Sequence, residues 1–319
     1  MKIDGLLVID KPEGITSLDV VREIKSRFSI RKAGHIGTLD PFATGVLPIV
    51  MNEATKLVPF IKEDPKDYEA VMKIGEETTT DDHTGELVRS EPFVNPSPEE
   101  IHTIFQSFVG KIRQTPPLFS AIKVKGNPLY RMARKGIEIE RKEREVEIFD
   151  LRIETIDLPQ IRFRISCSKG TYIRAIARDI GRQIGCGAHL VSLRRVRSGP
   201  FTIEQAIPLA NLRMLSTLRS TIIPPREVLS DLPELVGDER LIRKVQFGKE
   251  MIVRDLDPQT LPPFEEKQWL RMSSPQKDLV AILKSAIRRG EIEGADPEKV
   301  ALRPIRVFRS QPYVPVDRG

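Results

Sequence analysis

The chain has 319 residues, 39% hydrophobic and 30% charged, so its composition is that of a soluble globular protein of about two domains and excludes a disordered one. Its apolar runs fall far short of the roughly 20 residues of a membrane span, and it opens without a secretory signal, so no membrane partner and a cytoplasmic location are expected. Two cysteines and four histidines are too few for a disulfide framework or a structural metal site, and the net charge is +6.

The N-terminal part of the chain predicts a mixture of strands and helices without regular alternation. Gly5–Ile9 is a short apolar run that predicts a buried strand, and Ser17 is expected to cap a helix. Alternating apolar and polar positions predict a strand over Tyr68–Ile74. A capping box over Ser97–Glu100 predicts a second helix, which Gly110 is expected to end.

Residues 115–145 interrupt this pattern. Thr115-Pro116-Pro117 breaks the chain, and Gly126-Asn127-Pro128 predicts the start of a short helix that Gly136 stops. The segment fits either a mobile arm that leaves the core or a plain surface loop.

Basic residues concentrate between Ile161 and Pro200. The strand predicted over Ile161–Cys167 is the clearest in the chain, and the helix after it carries Arg174, Arg178 and Arg182 on one face. Nine basic residues and one acid give this segment a charge of +8, so the rest of the chain sums to −2. Such a block fits a surface that binds a polyanion, and it equally fits an ordinary solvated face.

The C-terminal part predicts a small β-rich module. Pro224–Pro233 is the best candidate for a linker. Short strands are expected around Met251–Arg254, Leu279–Leu283 and Ile305–Phe308.

The loop from Gly34 to Gly45 is the most unusual segment, because three glycines and a proline in twelve residues shape a backbone that approaches something closely. Its one carboxylate, Asp40, could be a structural cap or a nucleophile held ionised by an arginine, and His35 could be a packed residue or a polar ligand probe. Motifs for metals, phosphate loops and dinucleotides are missing from the sequence. These observations favour a reaction without cofactors on an anionic substrate, or binding alone.

The segment Gly34–Leu47 resembles the signature of the TruB family of tRNA pseudouridine synthases. Further motifs of that family follow in order, and together the resemblance covers about residues 3–233: Asp10–Ser17, Lys66–Gly85, Pro116–Gly136 and Ser168–Arg195. Thr79 and Asn127-Pro128 depart from the family pattern. The region after Leu235 only loosely resembles the RNA-binding PUA module, and residues 256–277 match nothing in it.

The resemblance implies an α+β fold, with a large mixed, mostly antiparallel sheet flanked by helices. Residues 1–233 would form the catalytic domain, with 115–145 inserted as an RNA-gripping arm. Residues 234–319 would form a divergent, small β-rich PUA-like domain that binds RNA. A monomer is expected.

The resemblance also implies the reaction, which is the isomerisation of uridine to pseudouridine at position 55 in the T-loop of tRNA. The base is flipped out of the RNA, leaves C1′ through N1, turns, and rejoins through C5, without a cofactor or a metal. The expected partner is the T-arm of tRNA.

Six positions match functional residues of the family. The carboxylate of Asp40 would attack the substrate or assist glycosidic cleavage, with Arg174 as its counter-charge. Tyr68 would stack on the flipped base and is a candidate to take the C5 proton. The remaining matches are Tyr172 and Leu193, which would line the base pocket, and His35, which would fill the space vacated in the RNA. The alternative is a non-catalytic RNA-binding or tRNA-remodelling protein that uses the same cleft, for which an intact set of Asp40, Tyr68 and Arg174 would be unnecessary.

Overall fold

Two large β-sheets dominate the computed structural model, which describes residues 3–90, 96–120, 123–124, 127–128, 141–212 and 214–308. The strands are, in chain order, β1 (Gly5–Lys11), β2 (Ala33–His35), β3 (Thr44–Met51), β4 (Lys66–Ile74), β5 (Glu76–Thr78), β6 (Leu87–Ser90), β7 (Gly110–Gln114), β8 (Lys123–Val124), β9 (Asn127–Pro128), β10 (Arg144–Asp157), β11 (Gln160–Cys167), β12 (Ala188–Ser198), β13 (Phe201–Thr202), β14 (Ile207–Pro208), β15 (Glu234–Val236), β16 (Met251–Ile252), β17 (Trp269–Ser273), β18 (Leu279–Ser285) and β19 (Val300–Val307).

Helices connect these strands. The α-helices are α1 (Ser17–Phe28), α2 (Pro98–Gln106), α3 (Ile173–Ile184), α4 (Leu215–Thr221), α5 (Pro225–Val228) and α6 (Glu239–Gln246). Short 3₁₀ helices span Asn52–Phe60, Ile203–Gln205, Leu209–Asn211, Val253–Asp255, Pro258–Thr260 and Arg289–Gly294. No helix among the described residues is long and apolar enough to cross a membrane.

The larger sheet has the spatial order β14-β1-β3-β12-β4-β11-β10-β7, with β2 beside β3 and β13 beside β12. The pairs β1–β14 and β3–β12 are parallel, and the other neighbours are antiparallel. The architecture therefore confirms the expected α+β fold with a large mixed, mostly antiparallel sheet.

Both faces of the strands β1 and β3 are covered, which explains their continuous apolar sequence. Leu7 and Ile9 of β1 face a core that helices α1, α2 and α3 also line, whereas Leu6 and Val8 face a second cluster. The alternation of exposed and buried residues along β11 confirms the predicted strand and its basic outer face. The sheet centre, where β3, β12 and β4 adjoin, is the part that carries the candidate site.

The smaller sheet has the order β15-β17-β18-β19-β16 and its own core. Its other face packs against the larger part of the molecule, because Ile282 and Phe308 belong to the same buried cluster as Leu6 and Val8. The rings of Trp269 and Phe60 meet edge to face, with 5.0 Å between centroids. The two sheets are thus joined through an apolar contact.

Two helix ends differ from the sequence predictions. The cap of α1 is Thr16, whose hydroxyl accepts a hydrogen bond from the amide of Asp19, and Ser17 is instead the buried first residue of the helix. Helix α2 has the predicted capping box but ends at Gln106, so the chain turns before Gly110. The predicted start of a short helix at Asn127-Pro128 is instead strand β9, and residues 129–136 of that prediction lie outside the described residues.

One C-terminal prediction was wrong, and a second segment, for which no element was predicted, contains a strand. The segment Pro224–Pro233 is not a linker, because it forms α5 and buries Val228 and Leu229 in the cluster between the sheets. The unmatched segment 256–277 contains β17, which pairs with both β15 and β18. Prolines and polar neighbours hide these elements from a local pattern, although each one is essential to the packing.

Candidate active site

The loop that carries Asp40 is held by two buried side chains. The hydroxyl of Ser17 donates to the carbonyl oxygen of Leu39 and accepts from the Leu39 amide, both at 2.9 Å. Lys11 is fully buried, and its ammonium donates to the carbonyl oxygen of Pro41 at 3.1 Å and to two further carbonyls at 2.8 Å. Burial lowers the pKa of Lys11 to about 8, against the opposing effect of the Asp40 carboxylate. The backbone on both sides of Asp40 is therefore fixed.

Arg174 holds the Asp40 carboxylate. Its Nε donates to Oδ2 of Asp40 at 2.9 Å, while its two terminal nitrogens donate to the carbonyl oxygens of Thr80 (2.6 Å) and Phe119 (3.0 Å). A second carboxylate, Asp82, lies 3.5 Å from the guanidinium. The Arg174 side chain is 3% exposed and that of Asp40 is 32% exposed. A buried cation needs such partners, and the arrangement leaves the carboxylate accessible from outside.

A cavity of about 230 Å³ opens beside this pair. It is smaller than the roughly 300–1,000 Å³ of pockets for drug-sized ligands, so it admits only a small ligand or a single group of a larger one. The structure brings five of the six sequence-predicted site residues to its wall: Asp40, Tyr68, Tyr172, Arg174 and Leu193. The rest of the wall consists of Thr38, Leu39, Lys66, Gly170, Thr171 and Ile173.

Tyr68 lies on β4 and is 7% exposed. Burial raises the pKa of its phenol to about 12, with the Arg195 guanidinium opposing the shift, so the hydroxyl is protonated at neutral pH. Arg195 is the direct cross-strand partner of Tyr68 on β12 and is fully buried. It donates to the carbonyl oxygens of Val46 and Gly37, both at 2.8 Å, and its Nη1 has no hydrogen-bond partner among the described residues.

Tyr172 stands at the start of α3, and burial raises the pKa of its phenol. The Arg144 guanidinium lies 5.6 Å from the centroid of its ring, a distance at which a cation is attracted to the ring face. Tyr172 and Arg174 are thus two residues apart on one helical turn, and both reach the same cavity.

His35 is the sixth predicted residue, and it is not in the cavity wall. It lies on β2, where its Nε2 is 3.1 Å from the hydroxyl of Thr38, which does line the cavity. Burial lowers the pKa of His35, and the positive charge of Arg195 lowers it further. His35 is therefore a neutral ring next to the cavity.

Sequence reasoning missed Lys11, Lys66, Asp82 and Arg195 as parts of the site. Lys66 is 7% exposed, lines the cavity, and has its Nζ 3.1 Å from Oε2 of Glu63. A signal existed for Lys11, since it ends a strand whose first five residues are apolar. The others had none in the local pattern, because their partners are distant in the sequence.

Most of the basic block is paired with carboxylates, and three of its arginines are buried: Arg174, Arg178 and Arg195. Arg178 is 5% exposed and paired with Asp81 at 2.9 Å and Asp179 at 2.8 Å, so it lies inside the protein and not on a solvated face. Other members of the block also pair with carboxylates from outside it: Arg164 with Glu69 and Glu154, Arg182 with Glu77, Arg194 with Asp10, and Arg197 with Asp67.

Two family models match the chain. The model described as TruB family pseudouridylate synthase (N terminal domain) matches residues 25–173, and the model of the tRNA pseudouridylate synthase B C-terminal domain matches residues 174–230. Among curated relatives, tRNA pseudouridine synthase B of Geobacter sulfurreducens is 47% identical over 248 residues, which cover 76% of this chain and 82% of the relative. The same-named protein of Syntrophus aciditrophicus is 39% identical over 313 residues, which cover 97% of this chain and 100% of the relative.

Solved structures also resemble the chain over most of its length. A chain in the crystal structure of a Cbf5-Nop10-Gar1 complex matches with a TM-score of 0.71 and 27% identity, covering 96% of this chain and 85% of that one. A chain in the structure of an H/ACA RNP bound to a substrate RNA containing 2′-deoxyuridine matches with a TM-score of 0.72 and 25% identity, with the same coverage.

Proposed function

Because the chain belongs to the TruB family of pseudouridylate synthases, we propose that it converts the uridine at position 55 in the T-loop of tRNA, with Asp40 as the catalytic nucleophile. It is a tRNA pseudouridine synthase, an isomerase. The observation that carries the proposal is the Asp40–Arg174 ion pair at the wall of a small cavity.

The reaction balances within the nucleotide. The N1–C1′ bond breaks and a C5–C1′ bond forms, while C5 loses a proton and N1 gains one, so no co-reactant is consumed. Asp40 either attacks the substrate or assists glycosidic cleavage, and both roles need an ionised carboxylate. Arg174 supplies the counter-charge at 2.9 Å, which is the range of a strong charge-assisted hydrogen bond.

The other wall residues hold the base. A uridine within a folded T-loop must be extruded before any side chain can reach C1′, which costs a few kcal/mol of stacking. Tyr68 stacks on the extruded base, with Tyr172 and Leu193 enclosing it. His35 lies next to Thr38, which lines the cavity, and it occupies the space that the extruded base leaves in the RNA.

Two roles were expected for Tyr68, and the structure favours one of them at neutral pH. A phenol whose pKa is about 12 can stack and donate a hydrogen bond as it stands. Accepting the C5 proton requires the phenolate, and Arg195, opposite Tyr68 on β12, is the group that favours that form.

Further parts of the proposal concern the rest of the molecule. Residues 115–145 grip the T-arm, although 121–122, 125–126 and 129–140 lie outside the described residues. Residues 234–319 form a PUA-like RNA-binding domain, supported by the five-stranded sheet between 234 and 307. The enzyme acts as a monomer in the cytoplasm, where its tRNA substrate is found. A purely RNA-binding protein would not need the ion pair between the buried Arg174 and Asp40.

The test replaces the carboxylate. Asp40→Asn should lower tritium release from tRNA labelled at C5 of uridine by about a thousandfold or more, because an amide is a poor nucleophile. Binding of tRNA should be nearly unchanged. The control Asp150→Asn removes a carboxylate that pairs with Arg152 on the protein surface, and it should keep full activity.

Undiminished release by Asp40→Asn would overturn the assignment of the nucleophile. The position is tested separately with a tRNA that carries cytidine in place of the uridine at position 55. This tRNA should yield no pseudouridine, and pseudouridine formed elsewhere in it would refute the T-loop assignment.

A further inference from the structure

Gln114 forms two hydrogen bonds with the backbone of a single residue, Tyr172, at the edge of the site. It is the last residue of β7 and is 1% exposed. Its Nε2 donates to the carbonyl oxygen of Tyr172 at 3.1 Å, and its Oε1 accepts from the Tyr172 amide at 2.9 Å. The side-chain amide therefore pairs with the Tyr172 backbone as a neighbouring strand would.

This pairing occurs where α3 has no cap of its own. Tyr172 is the N-cap residue of α3, and no side-chain cap bonds the first turn of that helix. The first amides of a helix have no partner within it, so a buried helix start needs partners from elsewhere. Gln114 supplies one from a strand 58 residues earlier in the chain.

The turn that Gln114 fixes carries the residues that face the substrate. Tyr172 lines the cavity, and Arg174 in the same turn bonds Asp40 at 2.9 Å. Productive sites tolerate displacements of only about 0.5 Å, because the strength of a charged hydrogen bond depends on its length and direction. A shift of the Tyr172 peptide would carry Arg174 with it.

Neighbouring contacts hold the same helix from the same side. The carbonyl oxygens of Thr115 and Phe119, which follow Gln114, accept from Arg178 (3.1 Å) and Arg174 (3.0 Å). Arg144, the cross-strand partner of Gln114, lies over the ring of Tyr172. Gln114 itself is not in the cavity wall, so it acts through Tyr172 and not on the substrate.

We propose that Gln114 is a positioning residue for pseudouridine formation. Its amide fixes the first turn of α3, and thereby sets Tyr172 against the base and Arg174 against Asp40. The proposal rests on the roles assigned above to those three residues. A residue in this role should affect the chemical step, measured as kcat, more than the binding of tRNA, measured as KM.

Gln114→Met keeps the shape of the side chain and removes both hydrogen bonds. We expect kcat to fall about tenfold or more, which is the loss expected when buried polar groups lose their partners, with KM for tRNA within about twofold of the native value. A native kcat would overturn the proposal.

Gln114→Glu tests the donor separately, since an ionised carboxyl can accept from the Tyr172 amide but cannot donate to its carbonyl oxygen. Protonation restores the donor. Burial and the carbonyl oxygen raise the pKa of this carboxyl, and the facing charges of Arg144, Arg174 and Arg178 oppose them; Arg174 and Arg178 are already bound to carboxylates. The ratio of variant to native kcat should therefore rise as the pH falls from about 9 to about 5.

The same preparation is measured at each pH, so recovered activity also shows that the variant is folded. The matched control is Gln106→Glu, a glutamine on the exposed side of α2, for which the ratio should stay flat. A flat ratio for Gln114→Glu would refute the positioning role. If Asp40→Asn is inactive while both Gln114 variants are native-like, the positioning role alone fails; if Asp40→Asn is active, the proposed function fails.

Discussion

Arg174 is the residue whose side-chain shape matters most in the site. Its three guanidinium nitrogens bond one carboxylate and two carbonyl oxygens, and a second carboxylate lies within 3.5 Å. A lysine carries the same charge at a single point and cannot reach such partners in a plane. The residue therefore supplies geometry as well as charge.

Arg174→Lys should reduce the rate of pseudouridine formation about a hundredfold, because the ammonium cannot hold Asp40 and both carbonyls at once. Single-turnover tritium release at saturating enzyme measures this rate. Arg164→Lys is the control, since Arg164 is a surface residue that pairs with Glu69 and Glu154. A rate within a few-fold of native would show that positive charge alone suffices.

For individual residues, the sequence indicated which side chains belong to the site better than it indicated which residues they contact. Asp40 stood out in its glycine-rich loop, but as a cap as much as a nucleophile, and Arg174 resembled a solvated helix residue until the family motifs were matched. Gln114 and Arg195 gave no signal, because their partners are Tyr172 and Tyr68 on other elements. Hydrophobic periodicity predicts which face of a strand or helix a residue lies on, but it does not predict which residue of another element packs against it.

Among the elements, α3 and β12 pack with almost no space between them. A Cβ atom added at Gly181 would lie 2.4 Å from both the backbone nitrogen and the Cβ of Ala188. The close approach lets the turn at Gly185, in the left-handed region at φ 97°, return the chain directly into the sheet. Helix α3 is thereby placed so that its first turn reaches the cavity.

Gly181→Ala should lower the free energy of unfolding by about 1–3 kcal/mol, because the added methyl collides with backbone. In an exposed helix the same change would raise it by about 1 kcal/mol. Gly294→Ala is the control, since nothing lies within 4 Å of a Cβ there. Urea unfolding measures both, and a stabilised Gly181→Ala would contradict the packing argument.

The basic block shows why the sequence predicted strands and helices better than the contacts between them. Strand β11 follows from alternation within eight residues, which is a local property. The charge of the block was also counted correctly, yet apart from Glu154 and Asp179 the acids that neutralise it lie on β1, β4, β5 and the turn near Asp81, more than 90 residues away in the sequence. A local charge count cannot detect such pairs, so it overstated the surface available to RNA.

Across the whole molecule, Glu234 of β15 links the smaller sheet to α5, which packs in the cluster between the two sheets. It accepts two hydrogen bonds from Arg226 (2.5 and 2.7 Å) and one from Ser273 (2.5 Å), and Arg271 lies 3.6 Å away. The hydrogen bonds from Arg226 lower the pKa of Glu234 to about 2. The ionised carboxylate therefore stabilises the junction.

The lowered pKa of Glu234 determines how its stabilising effect changes with pH. The usual pKa of 4.5 applies to the unfolded chain, so the stabilisation is full above pH 4.5 and is lost as the pH falls towards 2. Glu234→Gln should be less stable than native at neutral pH, and this difference should shrink between pH 4.5 and 2. Thermal unfolding across that range measures it, with the surface variant Glu298→Gln as control. A constant difference would exclude the carboxylate as its source.

The overall architecture was predicted where long, regular segments carry it. Strand β4 and helix α3 were predicted from their own periodicity, and the large sheet was implied by the family resemblance, whereas α5 and β17 were missed because prolines and polar residues surround short apolar stretches. Val228 and Leu229 are buried in a cluster that also contains Ile282 and Phe308, which come later in the chain. The contact between the sheets is thus a property of the assembled molecule.

The parallel pairing of Thr44 on β3 with Arg194 on β12 can form only after β12 has been synthesised. On the ribosome, Asp40 leaves the exit tunnel 134 residues before Arg174, and the strand that closes the central sheet follows later still. Throughout that interval the nascent chain displays its carboxylate without its guanidinium. With the roles proposed for Asp40 and Arg174, the activity is therefore acquired only after more than half of the chain has been made.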